Sequence, residues 1–223
     1  GFVIGADGAN SIVRRFITKK KFFQKQMALE ADVQVPDGRA YEMEFDFSIH
    51  RNGYHWIFPK RGHVNIGIYS TDPGYRPGIS NLATFADHRL GNMKLEAVKG
   101  YPICTGGASY RPDMDRILLA GDAAGAAEPL FGEGIYFALR SGQLAAAAVS
   151  AHFSEPGAVR AAYRSSIGTL QKDLKLYDLS AAFFYRFPRL SMTAASLPAV
   201  QRRFASGFAS GLPLSRMILG WFG

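Results

Sequence analysis

The sequence predicts an α/β chain in which pieces of a parallel sheet flank an inserted antiparallel sheet, followed by a C-terminal helical region. Three observations predict it. Residues 117–120 form a short apolar run closed by Gly121, as a parallel strand buried on both faces reads; a small-residue loop and a long run of helix formers follow. Between residues 27 and 68 the apolar period is two, the signature of half-buried strands. Past His152 the spacing becomes three and four, which is helical.

Taken in order, Phe2, Val3 and Ile4 read as the end of a strand that runs into the turn Gly5-Ala6-Asp7-Gly8-Ala9-Asn10-Ser11. Met27, Leu29, Ala31, Val33 and Val35 then alternate with other residues up to a turn at Pro36-Asp37-Gly38. Tyr41, Met43, Phe45, Phe47 and Ile49 oppose Glu42, Glu44, Asp46 and Ser48, so one face is apolar and the other acidic. Arg51-Asn52-Gly53 signals a hairpin into residues 54–60, which Arg61-Gly62 join to residues 64–68. Residues 79–90 carry helical spacing through Leu82, Phe85 and Leu90, and residues 158–185 predict one or two amphipathic helices. The expected divisions are 1–25 and 105–153 for the parallel pieces, 26–104 for the inserted sheet and 154–223 for the helical end.

Composition bounds what such a chain does. Its 223 residues are 48% hydrophobic, enough for a sizeable core. The single cysteine, Cys104, excludes a disulfide framework within the chain and a cysteine-cluster metal site, and the five histidines lack metal-ligand spacing, so no metal is expected. No run reaches the roughly 18 apolar residues of a spanning helix. The formal charge of +8 gathers early, at Arg14, Arg15, Lys19, Lys20, Lys21 and Lys25, and late, at Arg202, Arg203 and Arg216. Anionic lipid or a phosphorylated cofactor suits such clusters, and so does a solvated basic face. No nucleic-acid motif accompanies them, so no nucleic-acid partner is expected. The apolar end, with Phe204, Phe208, Leu212, Leu214, Met217, Trp221 and Phe222, fits a membrane-surface segment, a lid or a helix closing the core.

Asp122 falls at a strand's carboxyl end, facing a loop that opens a helix, where ligands of open α/β sheets bind. The order Gly121-Asp122, Pro129, Gly132-Glu133-Gly134-Ile135, Ala138, Ser141-Gly142 resembles the second FAD-binding motif of the flavoprotein hydroxylase superfamily. The resemblance implies that Asp122 binds ribitol hydroxyls and that the backbone after Pro129, at residues 132–135, approaches the pyrimidine edge of the flavin. An acceptor-only carboxylate suits hydroxyl donors, and glycines admit a flat ring close to backbone N–H groups. Residues 5–14, Gly-Ala-Asp-Gly-Ala-Asn-Ser-Ile-Val-Arg, resemble the superfamily's short Asp-Gly motif. That implies Asp7 and Gly8 near the FAD pyrophosphate and ribose, with Arg14 pairing Asp7 or a phosphate. The fold implied is a partial FAD-binding Rossmann-like domain. The family's G-x-G-x-x-G turn would stand upstream of position 1, so an N-terminal segment of the same protein is an expected partner.

The strand Tyr54-His55-Trp56-Ile57-Phe58-Pro59-Lys60, with Val64-Asn65-Ile66-Gly67-Ile68, is similar to the Y-x-W-x-F-P motif of the geranylgeranyl reductase family within that superfamily. Residues 101–107, with Cys104 where a proline is common, resemble its P-x-P-T-G-G segment. The resemblance implies reduction of carbon–carbon double bonds in an isoprenoid or lipid substrate by FAD, with NAD(P)H or another reductant as electron donor. Tyr54, Trp56 and Phe58 would line the substrate channel; read from the residues alone, they equally fill a sheet core. Flavin halogenases carry the related W-x-W-x-I-P strand, so a halogenase or monooxygenase is the rival enzyme, and a non-catalytic remnant the rival outside catalysis. The expected setting is cytoplasmic, with peripheral contact at a membrane surface. No residue is assigned as proton donor.

Overall fold

The computed structural model describes residues 1–17, 23–36, 40–48, 52–91, 93–212 and 214–219. In chain order these form β1 (Val3–Gly5), α1 (Ile12–Ile17), β2 (Gln24–Gln34), β3 (Glu44–Asp46), β4 (Gly53–Pro59), β5 (His63–Ser70), α2 (Ile79–Leu90), β6 (Glu96–Thr105), β7 (Ile117–Leu119), α3 (Ile135–Ala151), α4 (Pro156–Arg186), α5 (Pro188–Ala195), α6 (Pro198–Ala209) and α7 (Leu214–Leu219). The turn expected at Pro36-Asp37-Gly38, the start of the hairpin signal at Arg51, the basic run 19–21 and Trp221-Phe222 lie wholly or partly outside the described residues. The chain divides into two compact units, one of Gly1–Gln24 with Cys104–Gly223 and one of Lys25–Ile103. None of the helices described is long and apolar enough to cross a membrane.

In the first unit β1 and β7 pair in parallel, Val3 opposite Ile117 and Gly5 opposite Leu119. Leu118 and Leu119 are fully buried, as the short apolar run requires. The far edge of β7 would leave its backbone unpaired, a cost that folds avoid. Here two tyrosines close it: the Leu119 N–H donates to the Tyr110 hydroxyl oxygen at 3.1 Å, and the Leu119 carbonyl accepts from the Tyr163 hydroxyl at 2.6 Å. Burial raises the pKa of both phenols, which keeps them protonated.

Tyr163 sits on α4, a single helix of 31 residues that opens with Pro156 in its first turn, where a missing N–H costs nothing. Its buried stripe runs Val159, Tyr163, Ile167, Leu170, Leu174, Tyr177, Ala181, Tyr185, at spacings of three and four. At the other end of that stripe the Tyr185 hydroxyl donates to the Leu130 carbonyl at 2.6 Å. One helix thus anchors both the strand β7 and the loop that follows it. At the C-terminal end, Leu214 packs into the same core and Met217 is buried, so this part of the apolar end closes a core.

The second unit is a five-stranded sheet in the order β3-β4-β5-β2-β6. Alternation divides β4 between two faces. Ile57 joins Ile66, Ile68, Val33 and Ala31 in a core covered by Leu82, Phe85 and Ala86 of α2, and the His55 ring lies 4.7 Å from that of Phe85. Tyr54, Trp56 and Phe58 occupy the other face. Trp56 stacks on Phe58 with centroids 5.8 Å apart, Phe45 packs on Tyr54 and Phe58, and Tyr69 on Tyr54. Trp56 lies opposite Gly67 in the register, and its indole N–H donates to Asn65 Oδ1 at 2.8 Å.

Candidate functional site

The chain after β7 builds the site from backbone upward. A tight turn, Gly121–Ala124, carries Asp122 directly past the strand end. The Gly121 N–H donates to the buried Ser141 hydroxyl oxygen at 2.9 Å, and that hydroxyl donates back to the Phe137 carbonyl at 2.7 Å, so the turn is fastened to the first turns of α3. Ser141, one of the residues that carry the motif, is therefore a structural clasp.

Asp122 is half-buried. One carboxylate oxygen, Oδ2, accepts the Cys104 N–H at 3.1 Å. The other, Oδ1, has no donor within the described protein and stands beside Gly134, where an added Cβ would lie 3.2 Å from it. Burial raises the Asp122 pKa; the Cys104 N–H and the Arg14 charge oppose that rise. Gly134 begins α3, and among the described residues the N–H groups of Gly134 and Ile135 have no partner, whereas the Tyr136 N–H is capped by the Glu133 carboxylate at 2.9 Å. Gly132 has φ +74°, the left-handed region that favours glycine. A carboxylate oxygen and helix-opening amides are thus offered together at an uncrowded backbone, which suits a ligand with hydroxyl donors and a flat polar edge. That is the chemistry of a flavin's ribitol and pyrimidine, and the residues present fit FAD on this ground.

Glu128 was not legible as a functional residue, yet it organises the loop. Its side chain is fully buried. Oε2 accepts the Leu130 N–H at 2.7 Å, and Oε1 accepts the N–H groups of Phe131 at 2.9 Å and Glu133 at 3.0 Å. The loop also closes on its backbone, Glu128 N–H to the Glu133 carbonyl at 2.9 Å. Burial pushes the Glu128 carboxyl up to about 7, while the three amides hold it down and the nearby Glu133 charge raises it further. Pro129 follows directly, so the segment that presents residues 132–135 is built around this one carboxylate.

At the other motif the structure corrects one pairing. Asp7 accepts the Ser11 hydroxyl at 2.6 Å and the N–H groups of Ile12 at 2.7 Å and Val13 at 3.3 Å, capping α1; the Ser11 hydroxyl leads the bonds that lower its pKa. Gly8 turns the chain with φ +76°. Arg14 does not pair with Asp7. It is buried, and its guanidinium donates to the carbonyls of Ala9, Asp122 (2.9 Å) and Ala123 (3.0 Å), with its charge 4.9 Å from the Phe23 ring centroid. A buried cation needs acceptors all round, and these carbonyls supply them. Arg14 therefore joins the two motifs across 108 residues. Tyr54, Trp56 and Phe58 lie in the other unit, sharing one aromatic sheet face.

A parallel β-strand ending in a carboxylate, then a glycine loop and a helix, with a capped Asp-Gly turn in the same unit and an antiparallel sheet as the other unit, defines the flavin-dependent oxidoreductase fold. Solved structures agree: a geranylgeranyl bacteriochlorophyll reductase-like protein of Thermoplasma acidophilum matches at TM-score 0.64 and 23% identity over 78% of this chain and 50% of its own. A flavin-dependent brominase matches at TM-score 0.63 and 17% identity over 91% and 56%. No family model matches the chain. Among curated relatives, geranylgeranyl diphosphate reductase of Nicotiana tabacum is 34% identical over 154 residues, 66% of this chain and 33% of that protein. Digeranylgeranylglycerophospholipid reductase 2 of Methanothermobacter thermautotrophicus is 33% identical over 168 residues, 71% and 43%. The chain belongs to the geranylgeranyl reductase family of FAD-dependent oxidoreductases. It spans about half or less of the length of these relatives.

Proposed function

We propose that the protein reduces carbon–carbon double bonds of an isoprenoid chain with FAD, drawing electrons from NAD(P)H or another reductant. The observation that carries the reading is the unshared Asp122 Oδ1 beside Gly134 at the opening of α3. When bound, reduced FAD would supply hydride to one carbon of the double bond, and a proton drawn from solvent or an acidic group would complete the other. The chain's own residues bind and orient: Asp122 accepts from the ribitol hydroxyls, and the amides of residues 134 and 135 face the electron-rich edge of the ring. Glu128 and Arg14 hold that arrangement in place through the loop amides and the carbonyls of Asp122 and Ala123. In this reading Asp7 and Gly8 lie toward the pyrophosphate and ribose. The aromatic face of Tyr54, Trp56 and Phe58 suits a long apolar substrate, and the names of the tobacco and Methanothermobacter relatives indicate a geranylgeranyl diphosphate or a geranylgeranyl lipid. Such a substrate places the protein at a membrane surface peripherally.

Two substitutions in the full-length protein test the cofactor site. Asp122→Ala removes the acceptor of the ribitol hydroxyls and is expected to weaken flavin binding by about 1–3 kcal/mol, roughly 5- to 150-fold. Gly134→Val places methyl groups against Asp122 Oδ1 and the Ala127 Cβ, 3.4 Å from the added Cβ, and is expected to lower flavin content by crowding. Flavin titration by fluorescence reads both. Wild-type affinity in the two variants would remove the assignment.

A further inference from the structure

Basic residues of α4 that neither motif uses converge on one concavity of the first unit. A groove of about 570 Å³ opens between the turn Gly107–Ser109 and the middle of α4, lined among others by Ser109, Arg111, Arg164, Lys172 and Lys175. Arg164, Gly168, Lys172 and Lys175 follow one another at spacings of four, four and three, so they form one stripe of the helix, opposite the buried stripe of Tyr163, Ile167, Leu170 and Leu174. No carboxylate lines the groove. Arg160, one turn earlier, is already neutralised by Asp115 at 2.9 Å; among the described residues Arg164 and Lys172 have no ion-pair or hydrogen-bond partner. Lys175 has Asp178 as a charged neighbour.

Two features make this more than a solvated basic face. Arg111 is fixed before any ligand arrives: its Nη1 donates to the Ala108 carbonyl at 3.1 Å, the Tyr110 carbonyl at 2.9 Å and Gln171 Oε1 at 3.0 Å, and among the described residues the rest of the guanidinium has no partner. Gln171 is in turn held by the carbonyls of Gly107 and Tyr110. Gly168 sits in mid-helix, where glycine is unfavourable, and no neighbour lies within 4 Å of an added Cβ, so packing does not require it. Its effect is to keep the centre of the cationic stripe open. A lone exposed ion pair contributes little, but four cations around one concavity, one of them a preorganised fork, match a compact polyanion.

We propose that this groove binds a phosphate ester or diphosphate group, at a site that neither the flavin motif nor the aromatic strand supplies. The inference does not depend on the reaction proposed above. Two sources carry that chemistry, a soluble phosphorylated compound and a phospholipid headgroup, and two arms separate them. In the first, inorganic pyrophosphate is titrated calorimetrically at low salt into the full-length protein, the double variant Arg164→Gln/Lys172→Gln and the variant Gly168→Leu. In the second, the same proteins are sedimented with phosphatidylcholine vesicles with and without phosphatidic acid. The expected result is single-site pyrophosphate binding weakened tenfold or more in both variants, with melting temperatures unchanged in the double variant. Binding only to phosphatidic acid vesicles, lost in the double variant, would assign the site to a lipid headgroup. Absence of binding in both arms, or equal affinity of wild type and double variant, would overturn the proposal.

Discussion

Replacing Glu128 by Leu is expected to cost about 3–5 kcal/mol of stability, because three backbone N–H groups of the loop lose their acceptor at once inside the protein. Flavin retention should fail with it, since the same loop presents Gly132 and Gly134. Glu128→Gln is the finer probe. It keeps one acceptor oxygen and removes the titration. With the folded-state pKa raised from 4.5 to about 7, the native state favours the protonated acid. Its stabilising share is therefore fully present below about pH 4.5 and is lost as pH rises through 7, amounting to on the order of 3 kcal/mol. The charges facing it are Glu133 and, when ionised, Tyr177, whose own pKa is raised. Urea unfolding midpoints across pH 4 to 8 should show wild type losing stability relative to Glu128→Gln as pH rises. The opposite slope would mean that the three amides outweigh burial.

Gly67→Ala is expected to be nearly as damaging, although it adds a single methyl. A Cβ at position 67 would sit 2.0 Å from Trp56 Cζ2 and 2.3 Å from its Cη2, inside the indole. The ring cannot step aside cheaply, because Asn65 holds its N–H, Phe58 stacks on it and Tyr54 packs beside it. Displacing it forfeits the hydrogen bond and aromatic contacts together, about 2–4 kcal/mol. Trp56→Leu should recover part of that loss in the double variant, a coupling that a thermodynamic cycle measures directly. Independent, additive effects would show that Trp56 does not rest on Gly67. Trp56 is one of two tryptophans in the chain, so its emission also reports the displacement.

What could be read from the sequence was whatever the backbone demands of particular residue types. Gly132 shows itself because a left-handed turn selects glycine, and Gly134 because an added Cβ would press on Asp122 Oδ1 at 3.2 Å. Tyr54, Trp56 and Phe58 show themselves because a strand alternates. Glu128 stayed hidden because its partners are amides, which every residue has; the available signal was an acidic residue before Pro129 in a turn that closes at Gly132. Arg14 misled for a related reason. A cation near an Asp-Gly turn suggests an ion pair, but Asp7 is already satisfied by the opening of α1, and two of the three carbonyls that take the guanidinium come from more than a hundred residues away. The hydroxyls of Tyr163 and Tyr185 likewise gave helical spacing but no hint that they close a strand edge and a loop.

The proposed reaction is reduction, and oxygen chemistry at the same kind of site is its rival. The most direct measurement is an incubation of the full-length protein with a geranylgeranyl lipid under strict anaerobiosis, with dithionite or NADPH as electron source, followed by mass spectrometry of the lipid. Product heavier by pairs of hydrogens, formed without oxygen, is the expected result. Product formed only when oxygen is admitted, and carrying an added oxygen or halogen atom, would contradict it.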